Sequence, residues 1–153
     1  MSEFSTRVGK VLKQKSGQQV WSTTPETTVF DCIKLMAEKQ VGALLVMKGE
    51  TLEGIISERD YARKLALRGL SSKQTLAAEI MTSPVLTVTP KHTVGDCMLI
   101  ITEKRIRHLP VMDGGRVLGV ISIGDLVNCV ISEQESTIRH LQAYIAGTPG
   151  ISG

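Results

Sequence analysis

Two short stretches of the chain carry polar side chains at a spacing that does chemistry. Ser57 and Asp60 fall three residues apart in GIISERDYARK, and Ser122 and Asp125 three apart in GVISIGDLVNC. A serine and an aspartate at that spacing, opening a helix, form a capping box: each side chain satisfies a backbone N–H of the other. Capping accounts for the Ser and the Asp. It does not account for the glycine and apolar pair that precede the serine in both stretches. The chain has no G-x-S-x-G, no P-loop, no G-x-G-x-x-G and no cluster of metal ligands. No arranged nucleophile and base is visible either, so these carboxylates read as binding groups and the protein as no enzyme.

The two stretches belong to an internal repeat. Sliding the sequence over itself by 65 residues aligns Thr24–Asp60 with Thr89–Asp125 without a gap, and 16 of the 37 positions are identical. Two copies are too few for a solenoid. They read as two similar units, each covering apolar surface that the other cannot bury alone.

Each unit shows the same order of elements. An extended stretch (QQVWSTTP from Gln18; PVLTVTP from Pro84) precedes a helix, marked by Val29, Cys32, Ile33 and Met36 in one copy and Val94, Cys97, Met98 and Ile101 in the other. Thr28 with Asp31, and Thr93 with Asp96, read as capping boxes for these helices. Two strands follow, joined at KGET and DGGR by tight turns whose glycines suit hairpins. A second helix starts at each Ser-x-x-Asp. The result is an α/β (α+β) fold of two β-α-β-β-α units. The expected boundaries are a flanking helix and first unit over 1–68, a linker over 69–75, a second unit over 76–131, and a separate amphipathic helix and tail over 132–153, where Ile138, Leu141 and Ile145 fall at helical spacing.

Composition narrows the class. Apolar residues make up 42% and charged residues 22% of 153, ordinary for a soluble domain. Net charge is +3, and only 3% of residues are aromatic, so the basic stripe interleaved with stacking platforms that marks a nucleic-acid binder is missing. Cys32, Cys97 and Cys129 form no CxxC pair and read as buried, reduced thiols, which argues against zinc and for a reducing compartment. No apolar signal region opens the chain and no run spans a bilayer, so the expected location is cytoplasmic. His92, ahead of a helix, reads as exposed.

The pieces EIMTSPVLTVTPKHTV, RIRHLPVMD, GRVLGVISIGDLV and GALLVMKG with LEGIISERDYARK, in this doubled order, resemble a cystathionine-β-synthase (CBS) domain pair, or Bateman module, of the stand-alone type. The resemblance covers about Val8 to Val130. It implies two CBS motifs packed through their sheets, a homodimer, and a regulatory ligand rather than a catalytic cofactor. The ligands implied are AMP, ADP or ATP, then NAD, and also S-adenosylmethionine, held in two clefts between the motifs and read out by a protein partner whose identity the sequence does not give. The first cleft would draw on Ser57, Glu58, Arg59, Asp60, Thr82, Val85, Arg107 and His108. The second would draw on Ser122, Ile123, Gly124, Asp125, Lys13, Val20, Gly42 and Ala43.

The chemistry of these residues suits that ligand class. One carboxylate can accept hydrogen bonds from both hydroxyls of a ribose, the role assigned to Asp60 and Asp125. Open N–H groups at a helix start favour phosphate. Arg59, Arg107 and His108 give the first cleft a phosphate preference; in the second, Lys13 alone offers charge. Arg63 and Lys64 read as a solvated helix face. The alternative reading is a dimerising interaction module without a nucleotide, in which both Ser-x-x-Asp turns serve only as caps.

Overall fold

The structure is a computed structural model that describes residues 3–15 and 20–146. The chain forms two compact units. One comprises residues 17–87 and 110–120, the other 1–16, 88–109 and 121–153. The start of the first extended stretch, at Gln18 and Gln19, and the end of the C-terminal tail lie outside the described residues.

In the first unit, β1 (Ser22–Thr23) pairs parallel with β2 (Ala43–Lys48), which pairs antiparallel with β3 (Thr51–Ser57). The β2–β3 turn places Gly49 at φ +63, a left-handed backbone that a primed hairpin turn needs and glycine adopts without strain. Helix α2 (Val29–Lys39) begins at Thr28, whose Oγ1 accepts from Asp31 N at 3.2 Å. It turns Val29, Cys32 and Met36 onto Leu44, Val46 and Ile56 of the sheet, and with Leu65, Ala77 and Ile80 they form the core. After β3 come three α-helical residues, α3 (Glu58–Asp60), and a wider π-turn over Tyr61–Ala66. Gly69, at φ +70, follows shortly after. The segment expected as a linker is tied to the start of α2: Val29 N donates to Thr75 O and Phe30 N to Ser72 O. Helix α4 (Ala77–Ile80) follows.

In the second unit, α1 (Val8–Gln14) runs beside the chain at 90–92, with Val8 N donating to His92 O and Gly9 N to Pro90 O. Helix α5 (Val94–Lys104) starts on a complete Thr93–Asp96 capping box. Strands β4 (His108–Asp113) and β5 (Arg116–Ser122) form a hairpin, of which residues 110–120 belong to the first unit, with Gly114 and Gly115 both at positive φ in its two-residue turn. Helix α6 (Ile123–Ile145) closes the described chain and packs on α5, α1 and the short turn at Glu3–Ser5.

The repeat is carried into backbone detail. Helices α2 and α5 are both 11 residues long, and β2 and β3 match β4 and β5 at 6 and 7 residues. Gln40 and Arg105, one repeat apart, both end their helices in the left-handed conformation, at φ 56 and 55.

Three expectations are corrected. The stretch Pro84–Pro90 forms no named strand; the second sheet has two strands where the first has three. Prolines at both of its ends give no N–H to a ladder. The separate C-terminal helix is instead a continuation of the helix begun at Ile123, since no glycine, proline or cap interrupts Asp125–Ile145. His92 is half-buried, and its Nδ1 accepts from Thr89 N at 2.9 Å.

Candidate functional site

The first turn is built around Asp60. Strand β3 delivers Ser57 at its end, and the chain turns directly into α3. Ser57 N and Ser57 Oγ both donate to Asp60 Oδ2, at 2.9 and 3.0 Å, and Asp60 N donates to Ser57 Oγ at 3.2 Å. The other carboxylate oxygen, Oδ1, receives Thr82 Oγ1 at 3.1 Å and Lys64 Nζ at 3.1 Å. Lys64 also reaches Ile80 O and Thr82 Oγ1. Asp60 is only 8% exposed, so all this occurs in a partly desolvated pocket where charge-assisted bonds are strong.

Thr82 is placed by backbone bonds. Ile55 N donates to Thr82 O and Thr82 N to Ile55 O, and Ser83 Oγ reaches Glu53 O. This segment crosses directly over Gly54. A Cβ built there would lie 2.5 Å from Met81 Sδ and 3.0 Å from Thr82 O. The glycine ahead of Ser57, which capping leaves unexplained, is therefore required by packing.

The second turn repeats the box and changes its surroundings. Ser122 N donates to Asp125 Oδ2 at 2.8 Å, and Asp125 N to Ser122 Oγ at 3.2 Å. Lys15, just beyond α1, donates to the same Oδ2 at 2.7 Å. Both side chains of this pair are partly exposed, 22% and 18%. The lysine on Asp125 is thus Lys15; Lys13, which the sequence reading places in the second cleft, is exposed on α1.

The helix-start amides expected to face phosphate are used within the protein. Glu58 N donates to Gly42 O at 3.1 Å, and at the equivalent place Ile123 N donates to Arg107 O at 3.0 Å. Together with the boxes, these bonds engage Ser57, Glu58 and Asp60 N in one turn and Ser122, Ile123 and Asp125 N in the other. The positive groups held at the two carboxylates are lysine side chains.

Of the residues expected in the first cleft, Ser57, Asp60 and Thr82 are joined by hydrogen bonds. Glu58 is exposed beside them, and Arg59 and Val85 are half-buried in the same unit. Arg107, exposed, and His108, half-buried at the head of β4, belong to the other unit. Of the second set, Ser122 and Asp125 are joined, with Ile123 and Gly124 exposed between them and Lys13 in the same unit. Val20, 39% exposed, with Gly42 and Ala43, lies in the first unit. Sequence reasoning missed Lys64 and Lys15. Lys64 had a readable signal, its position four residues after Asp60 on one helix face. Lys15 had none, because its partner lies 110 residues away.

The cysteines take no part. All three are buried and unpaired, and burial pushes the Cys97 thiol up to about 11 and raises Cys32 and Cys129 as well, which keeps them protonated and poorly nucleophilic. Among the described residues, no group of three or more His, Cys, Asp or Glu gathers as a metal site, and no helix is long and apolar enough to cross a membrane.

The doubled unit and its paired turns define a class. The CBS domain model matches residues 17–67 and 77–132, and the chain belongs to the CBS-domain family as a tandem pair. It is similar to the mitochondrial CBS domain-containing protein CBSX3 of Arabidopsis thaliana, 43% identical over 152 residues, covering 94% of this chain and 73% of that protein. Among solved structures, a protein with CBS domains from Burkholderia ambifaria MC40-6, described under signal transduction, is 51% identical at a TM-score of 0.81, covering 84% of this chain and 96% of that one. A hexameric CBS-CP12 protein from bloom-forming cyanobacteria, 26% identical, gives 0.72 and covers 95% of this chain and 90% of its own.

Proposed function

We propose that the protein is an adenine-nucleotide sensor: AMP, ADP or ATP, with NAD next and S-adenosylmethionine after it, binds at the Ser-x-x-Asp turns and controls a separate protein by population shift. One observation carries this reading. In both turns an aspartate carboxylate meets a lysine ammonium, Asp60 with Lys64 and Asp125 with Lys15. Such a pair divides naturally over a nucleotide, the carboxylate taking the ribose hydroxyls and the ammonium the phosphate. Binding exchanges one set of charge-assisted bonds for another, so the lysines leave their carboxylates as the ligand arrives. The protein is proposed to work as a homodimer and without catalysis. Its three buried thiols support a reducing compartment, the cytoplasm first; the mitochondrial relative makes an organelle the alternative.

The complete capping boxes favour a second reading, an interaction module in which Asp60 and Asp125 only cap their helices. Thermal unfolding against AMP, ADP, ATP, NAD, NADH and S-adenosylmethionine separates the two. A ligand at 100 times its dissociation constant adds about 2.7 kcal/mol to the folded state, a rise of several degrees. No rise with any of them, in protein free of copurified nucleotide, selects the interaction module.

A further inference from the structure

We propose that His92 makes the anchorage of α1 sensitive to acid: a proton taken up by its ring opens the turn to which α1 is bound and loosens the helix that leads to Lys15. The residues of this device all fall in one unit, and it operates whether or not a nucleotide binds.

The turn ahead of each 11-residue helix is built alike and anchors a second helix. In the first copy, Thr24 N donates to Thr27 Oγ1 at 3.3 Å, and the two hydroxyls lie 2.8 Å apart. The carbonyls of that turn receive the first two amides of α4, Ala77 N on Thr27 O at 2.7 Å and Ala78 N on Pro25 O at 3.0 Å. One repeat later, Thr89 N donates to His92 Nδ1 at 2.9 Å, and Thr89 Oγ1 lies 3.1 Å from the same nitrogen. The carbonyls of this turn receive the first two amides of α1, Val8 N on His92 O at 2.8 Å and Gly9 N on Pro90 O at 3.0 Å. His92 thus stands where Thr27 stands and does the same work with a group that can gain a charge.

A threonine hydroxyl accepts a hydrogen bond at any pH. An imidazole nitrogen accepts only while it keeps its lone pair. The Thr89 amide can only donate, so the neutral ring carries its proton on Nε2 and leaves Nδ1 open. Histidine side chains change charge between about pH 8 and 5. The added proton falls on Nδ1, where it faces the hydrogen of Thr89 N. The ring must then turn away, and the amide loses its acceptor. The charged groups around the ring are Asp96 on α5, Arg7 and Lys10 on α1 and the residue before it, and Lys91 in the turn itself. Asp96 attracts an imidazolium, but it is exposed and its Oδ2 already accepts from Thr93 N at 2.9 Å. Arg7, which donates to Lys91 O, opposes it with the two lysines. Nearby charge therefore does not make good the lost bond.

The turn and α1 are in close contact: a Cβ built on Gly9 would lie 3.3 Å from Pro90 Cβ. A displaced turn therefore disturbs the start of α1, and Lys15 just beyond its end donates to Asp125 Oδ2. The anchorage is complete above the histidine range and weakens as pH falls through it. Acid thereby loosens the lysine's hold on the second turn. The matching turn of the first copy, with Thr27, stays as it is.

Amide hydrogen exchange by NMR, each rate divided by its intrinsic value at the same pH, tests this in the full chain at pH 7.5 and 5.5. Protection of Val8 and Gly9 should fall about fivefold at the lower pH, the worth of one hydrogen bond, while Ala77 and Ala78 keep theirs. His92→Thr, which installs the first copy's residue, should hold Val8 and Gly9 at constant protection. Its thermal midpoint should fall by about 2 to 4 °C less than that of the wild type over the same range. Undiminished protection of Val8 and Gly9 in the wild type at pH 5.5 overturns the proposal. So does an equal loss at Ala77 and Ala78, or a loss in His92→Thr as large as in the wild type. The comparison within the wild type decides even if the variant does not fold.

Discussion

The turns at Ser57 and Ser122 share one backbone design and differ in what surrounds it. Both have a capping box, and both have the first helical amide bound to a carbonyl one repeat apart, Gly42 in one and Arg107 in the other. Yet Asp60 is enclosed, with both oxygens engaged by four donors, two of them from Lys64 and Thr82. Among the described residues, the donors to Asp125 all fall on Oδ2, and its lysine comes from the end of α1. The backbone frame thus follows the repeat, while the charged partner of each carboxylate is supplied by whatever segment passes nearby. Asp60 is a structural hub of its unit; Asp125 is the more open of the two carboxylates.

The comparison is broken most strongly at the carboxylates. Asp60→Ala should cost about 3 kcal/mol in urea unfolding, because it removes a cap and leaves Lys64 and Thr82 without their acceptor. Asp125→Ala, a cap with a partly exposed ion pair, should cost about 1 kcal/mol. Equal costs would mean the enclosure of Asp60 has no energetic weight. The glycines sharpen the same contrast. Gly54→Ala should destabilise by about 1 to 3 kcal/mol as Met81 and the Thr82 carbonyl are pushed aside. Gly124→Ala meets only Ser122 Oγ at 3.6 Å and should stabilise α6 by up to about 1 kcal/mol.

The smallest effect separates the equivalent helix cysteines. An unfolded thiol titrates near 9.0 and the buried Cys97 near 11, so over that window the unfolded chain releases a proton the folded chain keeps. Stability is full below about pH 9 and falls as pH rises towards 11. Burial also raises Cys32, but its contact with Thr23 Oγ1 opposes the rise. Cys97→Ala should therefore flatten the alkaline fall in melting temperature more than Cys32→Ala does.

Much of the fold was legible because it is local and stated twice. Thr93 with Asp96, Ser57 with Asp60, and the hairpin glycines are short-range signals, and the repeat checks each against its copy. The long α6 differs from the expected break because its first half copies the first motif, whose helix ends by Leu67; the sign that the second one continues is the run from Asp125 to Ile145 without glycine or proline. At the candidate site the boxes were legible and their partners were not. Lys64 was passed over as a surface charge although it lies four residues from Asp60, and Lys15 meets Asp125 only through the tertiary fold. Gly54, which capping leaves unexplained, is accounted for only by Met81 and Thr82 crossing it in the fold.

The most direct test of the sensor is calorimetric titration of ATP and of AMP into the wild type, Asp60→Asn and Asp125→Asn, each variant first shown to unfold cooperatively. Asparagine keeps the size and the capping oxygen and removes the charge that would hold a ribose. The expected result is binding to the wild type that weakens at least about tenfold in Asp125→Asn. The loss in Asp60→Asn should be smaller for ATP than for AMP, because Lys64 is set free there for the additional phosphates. Wild-type binding that neither substitution changes, or no binding at all, would contradict a nucleotide role for these turns and leave them as helix caps.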